Sequence, residues 1–362
     1  MKKYLSPYLF FFIKDSQLVV WDYKNHAQYQ VEARYLSRLL DIASGNDSSD
    51  PVDQELLDAN LISFNETNVE WGWDVLSQIF HFGVHNIPVS AEFSDYQDHI
   101  EEYVQFCEGS CKDMPSLYTE KVGSTIALPA PNVELLSRVD LWGVLSQRKT
   151  CRSFDAIPVS LTIISTLLYA VFGNIHPEWP DLEKHHVRQL GLRKSSPSAG
   201  ALHSCEAYLV AMRVENLQPG IYHYQSHSHK LTLIQEIDVT STLGHLLADQ
   251  MFAERLSAGV FISARFEKTW HKYHHSRSYA ELFLDTGHLS QTFQLCVTAL
   301  GLKPWLTGIF LDDEVSKLLK IEGSTEYPLF FVGVGQGDGN SLSQEMQAYF
   351  SQLEGKINEK NS

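Results

Sequence analysis

A chain of 362 residues, 44% hydrophobic and 20% charged, can bury a sizeable core and exceeds the roughly 100–200 residues of one average domain. Its formal net charge of −16 sets Coulomb repulsion against nucleic acid and anionic membrane surfaces, so neither partner is expected. No run of ~18 apolar residues is there to span a bilayer, and five cysteines, an odd count, give no disulfide framework, so a cytoplasmic location fits best.

The first apolar run, Tyr8–Ile13, is too short for a signal-peptide core and is ended by Lys14-Asp15. That run and Gln17–Tyr23 flank a Lys14-Asp15-Ser16 turn and predict a hairpin, with Gln28–Val31 as a third strand. Tyr35, Leu36, Leu39, Leu40 and Ile42 recur at helical spacing over Glu32–Ala43, which Gly45 closes. Val52–Ala59 predicts another short helix before Leu61–Phe64. Residues 1–85 therefore read as a small winged-helix-like unit whose edge strand could take up an extended peptide.

Residues 86–134 read as a connector with an acidic helix around Tyr96–Phe106. Cys107 and Cys111 then fall in a loop as solvent-side thiols. A zinc site would need two more ligands, so no metal is expected. Residues 135–340 alternate helical and extended segments, the pattern of an α+β or α/β catalytic domain, and 341–362 form a tail. Helices are predicted at Ser160–Phe172 and Tyr279–Leu300, the second closed by Gly301. Strands are predicted at Glu206–Val214, Gly220–Tyr224, Lys230–Ile234, Gly259–Phe266 and Glu326–Gly335.

Three segments carry chemistry. Gln147–Phe154 gathers Arg148, Lys149, Thr150 and Arg152, donors that can converge on one dianionic phosphate; the plain alternative is a solvated basic turn. Ser195–His203 consists largely of small residues that let backbone N–H groups approach a flat ligand, although loops commonly have this composition. Trp270–His275 sets Lys272 among Lys268, Arg277 and three histidines. Like-charge crowding and burial would lower its pKa and make it a general base, with Tyr273 alongside; otherwise this is an exposed basic loop. The long helix carries Asp285-Thr-Gly-His288, where Gly287 allows close backbone approach in a dimer seam.

Seven elements occur in order: Ile126-Ala-Leu-Pro, Arg148-Lys-Thr-Cys-Arg-Ser-Phe, Ser196-Pro-Ser-Ala-Gly-Ala-Leu-His, Lys272-Tyr273, Asp285-Thr-Gly-His-Leu-Ser-Gln, Ala299-Leu-Gly-Leu and Phe331-Val-Gly-Val-Gly. Over about residues 124–337 they resemble the nitroreductase-like flavoenzymes, and most closely the SagB-type azoline dehydrogenases, including the McbC and cyanobactin-oxidase groups. The resemblance implies an α+β fold, a mainly antiparallel sheet flanked by helices, and a homodimer with FMN at the subunit interface. It implies that Arg148, Lys149, Thr150 and Arg152 hold the phosphate and ribityl end. Ser196, Pro197, Ser198, Ala199, Gly200, Leu202 and His203 would line the isoalloxazine, with Thr307, Gly308 and Ile309 near the flavin. Gly335-Gln336 departs from the family, where a basic residue often follows the glycine.

Lys272-Tyr273 matches the pair that marks the azoline oxidases, with Lys272 as base and Tyr273 orienting the ring. The implied activity is oxidation of thiazoline or oxazoline rings to azoles in a ribosomally made precursor peptide, with oxygen as final oxidant. A YcaO-type cyclodehydratase would be the partner, and the N-terminal unit would hold the leader of the peptide. Two rivals use the same fold: a general NAD(P)H nitroreductase or quinone reductase, and a non-catalytic scaffold subunit of an azole synthetase.

Overall fold

The computed structural model describes residues 1–86, 95–176, 181 and 192–361, and divides into two compact units, Met1–Ala91 and Glu92–Ser362. In the first unit, β1 is Tyr4–Leu5, and β2 (Leu9–Lys14), β3 (Gln17–Asp22) and β4 (Ala27–Gln30) form an antiparallel meander. Asp15 and Ser16 both take positive φ, 50° and 63°, as a two-residue turn must to match the strand twist. Helices α1 (Ala33–Ala43) and α2 (Asp53–Asp58) follow, and β5 (Ile62–Ser63) returns to pair with β1. A third helix, α3 (Val75–Gly83), was not foreseen; Asp74 caps it by accepting from the Ser77 N–H. Val20, Leu39, Ile42, Leu56 and Ile62 pack as the core. Beside it Asp53 bonds Arg38 at 2.6 Å and Lys3 at 3.0 Å; burial opposes its charge, but these bonds hold its pKa at about 2.

The second unit begins with α4 (Tyr96–Cys111) and β6 (Thr125–Ala127), then α5 (Glu134–Ser137) and α6 (Leu141–Gln147). A two-residue ribbon joins β7 (Val159–Ser160) to β9 (Val214–Glu215) around α7 (Leu161–Phe172) and β8 (Cys205–Ala211). After β10 (Gly220–Gln225), β11 (Lys230–Gln235) and α8 (Leu243–Leu246) come β12 (Ala258–Arg265), α9 (Phe266–Lys272) and the long α10 (Ser278–Ala299). The chain continues through β13 (Lys303–Thr307), α11 (Asp312–Leu319), β14 (Glu326–Gly335) and α12 (Gln344–Asn361). Among the described residues, seven strands form one antiparallel sheet in the order β13-β14-β12-β8-β10-β11-β6.

Alternation along the central strands explains why both faces are covered. Ala207 and Leu209 of β8 and Val260 and Ile262 of β12 pack against α7 and α10, through Leu167, Val171, Leu289 and Phe293. Their neighbours Tyr208, Val210 and Phe261 face the opposite layer, with Leu247, Val315 and Leu319. Strands buried on both faces read as continuous apolar runs, which is why β12 and β14 were legible in the sequence.

Several boundaries differ from expectation. Cys107 and Cys111 lie in the last turns of α4, not in a loop, and Cys107 is only 7% exposed. Gly109 and Ser110 look like breakers, but the Ser110 hydroxyl bonds back to the Phe106 carbonyl and the helix continues. Thr125–Ala127, read as connector, is the sheet's edge strand beside β11. At the opposite edge β13 was missed because it contains Pro304, which an edge strand tolerates.

Candidate functional site

Strand β12 leads directly into α9, so the sheet fixes where that helix starts, and α9 ends on Lys272 with Tyr273 extended just beyond it. Both lysines of α9 point inward. Lys268 is 1% exposed and donates to the carbonyls of Leu117 (3.0 Å) and His203 (2.9 Å); burial pulls its pKa down to about 8. Lys272 is 3% exposed, and its Nζ reaches the Gly200 carbonyl at 3.4 Å. An ammonium has three hydrogens to place. With one long acceptor given among the described residues, burial drives Lys272 below its ordinary pKa. The expected causes were burial and crowding by Lys268, Arg277 and the histidines. Burial comes first, as expected, but in place of the cations the thiols of Cys107 and Cys111 lie within reach and act in the opposite sense.

Gly200 belongs to the Ser195–His203 loop, so the structure brings two of the three chemical segments together. It has φ +60°, and a Cβ there would lie 2.5 Å from the Tyr273 hydroxyl and 2.9 Å from Lys272 Nζ. Only glycine fits. Helix α10 holds this loop. Ser196 bonds the Thr292 hydroxyl (2.7 Å) and the His288 carbonyl (3.3 Å), and Asp285 accepts from the Ser198 hydroxyl and the Ala199 N–H. Burial raises the Asp285 pKa and those two bonds oppose it. Both serine hydroxyls thus anchor the loop, and Leu202 is buried in the protein. His203 turns toward the Leu192 carbonyl, and burial, then Lys194, lowers its pKa to about 3. Pro197 is exposed, and Ala199 and Gly200 are half-buried, so the loop backbone is what remains to meet a ligand. Beside Tyr273 opens a cleft of about 580 Å³ between α9 and α10, lined by Phe266, Trp270, His274, His275 and Tyr279. Small-molecule sites are commonly of this size.

The third segment, Arg148–Arg152, lies at the other end of the sheet. The Cys151 N–H donates to Pro304 of β13, and the Arg152 N–H to the Asn340 carbonyl (2.8 Å). Arg148 bonds Gln294 of α10 at 3.2 Å, and Arg152 bonds the Ser341 carbonyl at 3.1 Å. Gly339, at φ +77°, leaves an open notch; a Cβ there would sit 3.2 Å from Lys149 Cε and 3.6 Å from Lys303 Cε. Neither ammonium has a hydrogen-bond or carboxylate partner among the described residues. Lys303 was missed by sequence reasoning, which sought a cation after Gly335. The β13–β14 register sets Lys303 opposite Gly335, so the cation is supplied from the neighbouring strand.

Within one chain, not all the segments converge. Ser196 and Arg148 touch α10 two residues apart, at Thr292 and Gln294, which places them about 200° apart around the helix. Thr307–Ile309 begins at the far end of β13 from Lys303, roughly 13 Å away at ~3.3 Å per residue. Thr307 there accepts from Gln250 and from the Ile309 N–H, both at 3.1 Å, and the Ile309 side chain is exposed.

No helix among the described residues is long and apolar enough to cross a membrane. A sequence profile described as "Nitroreductase family" matches residues 145–336. The trifolitoxin operon protein TfxC of Rhizobium leguminosarum bv. trifolii is 26% identical over 74% of this chain and 73% of its own length. The microcin B17-processing protein McbC of Escherichia coli is 30% identical over 48% of this chain and 61% of its own. A crystal structure from Anabaena variabilis, described as a nitroreductase, shares the fold at 19% identity and a TM-score of 0.52, covering 76% of this chain and 50% of that one. With the antiparallel sheet, its flanking helices and a matched span of more than half its length, this chain is an α+β oxidoreductase that belongs to the nitroreductase family.

Proposed function

We propose that this chain is an FMN-dependent azoline dehydrogenase that acts as a homodimer on a ribosomally made peptide. One observation carries the reading: a buried, poorly solvated lysine with a tyrosine beside it, both packed on a glycine of the small-residue loop. The similarity to McbC, which processes microcin B17, supplies the substrate class.

The residues fit FMN. Lys149 and Lys303 offer cations to the phosphate at the Gly339 notch, where a side chain would intrude, and Arg148 adds one from the same segment as Lys149. The exposed backbone of Pro197–Gly200 offers a flat surface to the ring system. When bound, FMN supplies a hydride acceptor. Aromatising an azoline removes a hydride and a proton from adjacent carbons, and Lys272 in its neutral form takes the proton at Nζ. The Tyr273 hydroxyl donates to the ring heteroatom and orients it. The cleft lined by Trp270 and Tyr279 accommodates the peptide flanking the ring.

Opposite placement of the Arg148 and Ser196 anchors around α10 supports a site shared by two copies. So does the exposed stripe of Phe283, Leu284, Gly287, His288 and Gln291 on that helix, with Leu141, Trp142 and Leu145 of α6 also exposed. Among the described residues nothing lies within 4 Å of a Cβ at Gly287. A mid-helix glycine costs about 1 kcal/mol relative to alanine, a cost that close approach of a second backbone explains. A cyclodehydratase would supply the azolines, and the first unit, with the edge strands of its meander, would hold the leader of the peptide.

Purified protein should be yellow, elute as a dimer, and remove two hydrogens per ring from a thiazoline-containing peptide. Rapid reduction of nitroaromatics by NAD(P)H with no turnover of that peptide would establish a general nitroreductase instead.

A further inference from the structure

Helix α4 is strongly amphiphilic in charge: Asp98, Glu101, Glu102 and Glu108 give it four carboxylates. Tyr103, Cys107 and Cys111, each four residues apart, share one face. Cys107 is buried and Cys111 half-buried, whereas Tyr103, Val104, Phe106 and Glu108 are exposed, so the helix touches the rest of the unit at its two thiols. The contact is clamped by His271, whose Nε2 lies 2.9 Å from the Ser110 carbonyl and 3.1 Å from that of Lys112. Both partners are acceptors, so Nε2 carries the proton and donates. His271 immediately precedes Lys272, and both thiols are within electrostatic reach of the Lys272 ammonium.

We propose that the Cys107–Cys111 edge of α4, clamped by His271, is a cover that keeps Lys272 dry and uncharged, and that His271 is a positioning residue for the proton transfer. This rests on the azoline dehydrogenase reading. The chemistry of the face is what a base requires. A carboxylate at Cys107 or Cys111 would pair with the ammonium and hold the proton on it, whereas a protonated thiol fills space without doing so. Burial raises the Cys111 pKa, which keeps that thiol protonated at neutral pH. The groups facing Lys272 are Cys107 and Cys111 from α4, the Gly200 carbonyl from the loop, and the Tyr273 ring 5.3 Å away, with no carboxylate among them. On its own helix Lys268 lies one turn back, tied to carbonyls. From α10, Glu281 acts on Tyr273 and Asp285 is engaged by Ser198 and Ala199. Uncovering Lys272 should return its pKa toward the ordinary lysine value. Because the neutral amine is the active form, the acid limb of the rate profile then moves to higher pH.

Four variants of the flavin-loaded protein test this: His271→Ala, His271→Gln, whose amide can still donate, and Cys111→Asp against Cys111→Asn as neutral comparator. The first readout is alkylation of Cys107 by N-ethylmaleimide, followed by mass spectrometry and independent of turnover. Cys107 should be protected in the wild type and in His271→Gln and labelled at least about tenfold faster in His271→Ala. The second readout is kcat against pH with a thiazoline peptide. His271→Ala and Cys111→Asp should each lose about tenfold near pH 7, with the acid limb about one unit higher, and His271→Gln should restore it. If the wild type oxidises the peptide but His271→Ala leaves both Cys107 labelling and the pH limb unchanged, the cover is wrong. A Cys111→Asp limb that coincides with Cys111→Asn overturns it as well, even if His271→Ala fails to fold. A wild type that leaves the peptide untouched sinks the dehydrogenase reading itself.

Discussion

The two ends of the central sheet both gather cations in an acidic protein, yet they treat them oppositely. At the β14 carboxyl end, Lys149 and Lys303 flank a notch at Gly339, with Arg148 and Arg152 in the same segment. At the other end, Lys268 and Lys272 are almost completely buried, facing carbonyls and thiols. A solvated lysine keeps its charge and suits a permanent anion. A desolvated lysine has its pKa lowered and suits a proton that must be taken up and released. On the proposed reading one residue type does two jobs, and burial selects between them.

The sharpest way to break this contrast is Lys272→Ala. Ring oxidation should fall about 10²–10⁴-fold while flavin content, read from absorbance after gel filtration, stays unchanged. Lys272→Arg should not rescue, since a guanidinium stays protonated. The reciprocal change, Lys149→Ala with Lys303→Ala, should weaken FMN binding about 10²–10⁴-fold, measured by fluorescence titration, because each of the two charge-assisted contacts contributes ~1.5–3 kcal/mol. Its loss should deepen at low ionic strength, where the wild type binds best. Unchanged affinity in the double variant would erase the phosphate role of that end.

Asp285→Ala removes the acceptor of Ser198 and Ala199 at the buried end. It should cost roughly 1–3 kcal/mol in denaturant unfolding and about tenfold in kcat, with FMN affinity less affected. The smallest effect should come from His203, whose folded pKa of about 3 lies below the ordinary 6.5. The unfolded chain therefore binds the extra proton between those values, and stability falls as pH drops through that window. Calorimetry at pH 7 and pH 5 should show Tm a few degrees lower at pH 5, at roughly 2–4 °C per kcal/mol, with the difference reduced in His203→Gln.

Much of this was legible in the sequence where a local rule sufficed. The Asp15-Ser16 turn, the long α10, and the doubly buried strands β12 and β14 follow from turn chemistry and apolar periodicity. Lys272-Tyr273 and the 196–203 loop were visible as motifs, and the structure packs them on one another at Gly200. What sequence could not show was environment. The like charges near Lys272 in the chain are not what shifts it, while Cys107 and Cys111, some 160 residues earlier, lie within its reach. Likewise Lys303 counts as a neighbour of Gly339 only once the β13–β14 register is known. Serines 196 and 198 look like ligand donors until their α10 partners are seen.

Helix α10 is anchored to both basic ends, through Asp285, Thr292 and Gln294. A rod of this kind fixes phase as well as distance. Adding or deleting a single residue between Asp285 and Gln294 would rotate one set of anchors against the other by about 100° and shift it by about 1.5 Å. Loops elsewhere in this unit can drift in length, but this nine-residue interval is a spacer that tolerates substitution and not indels.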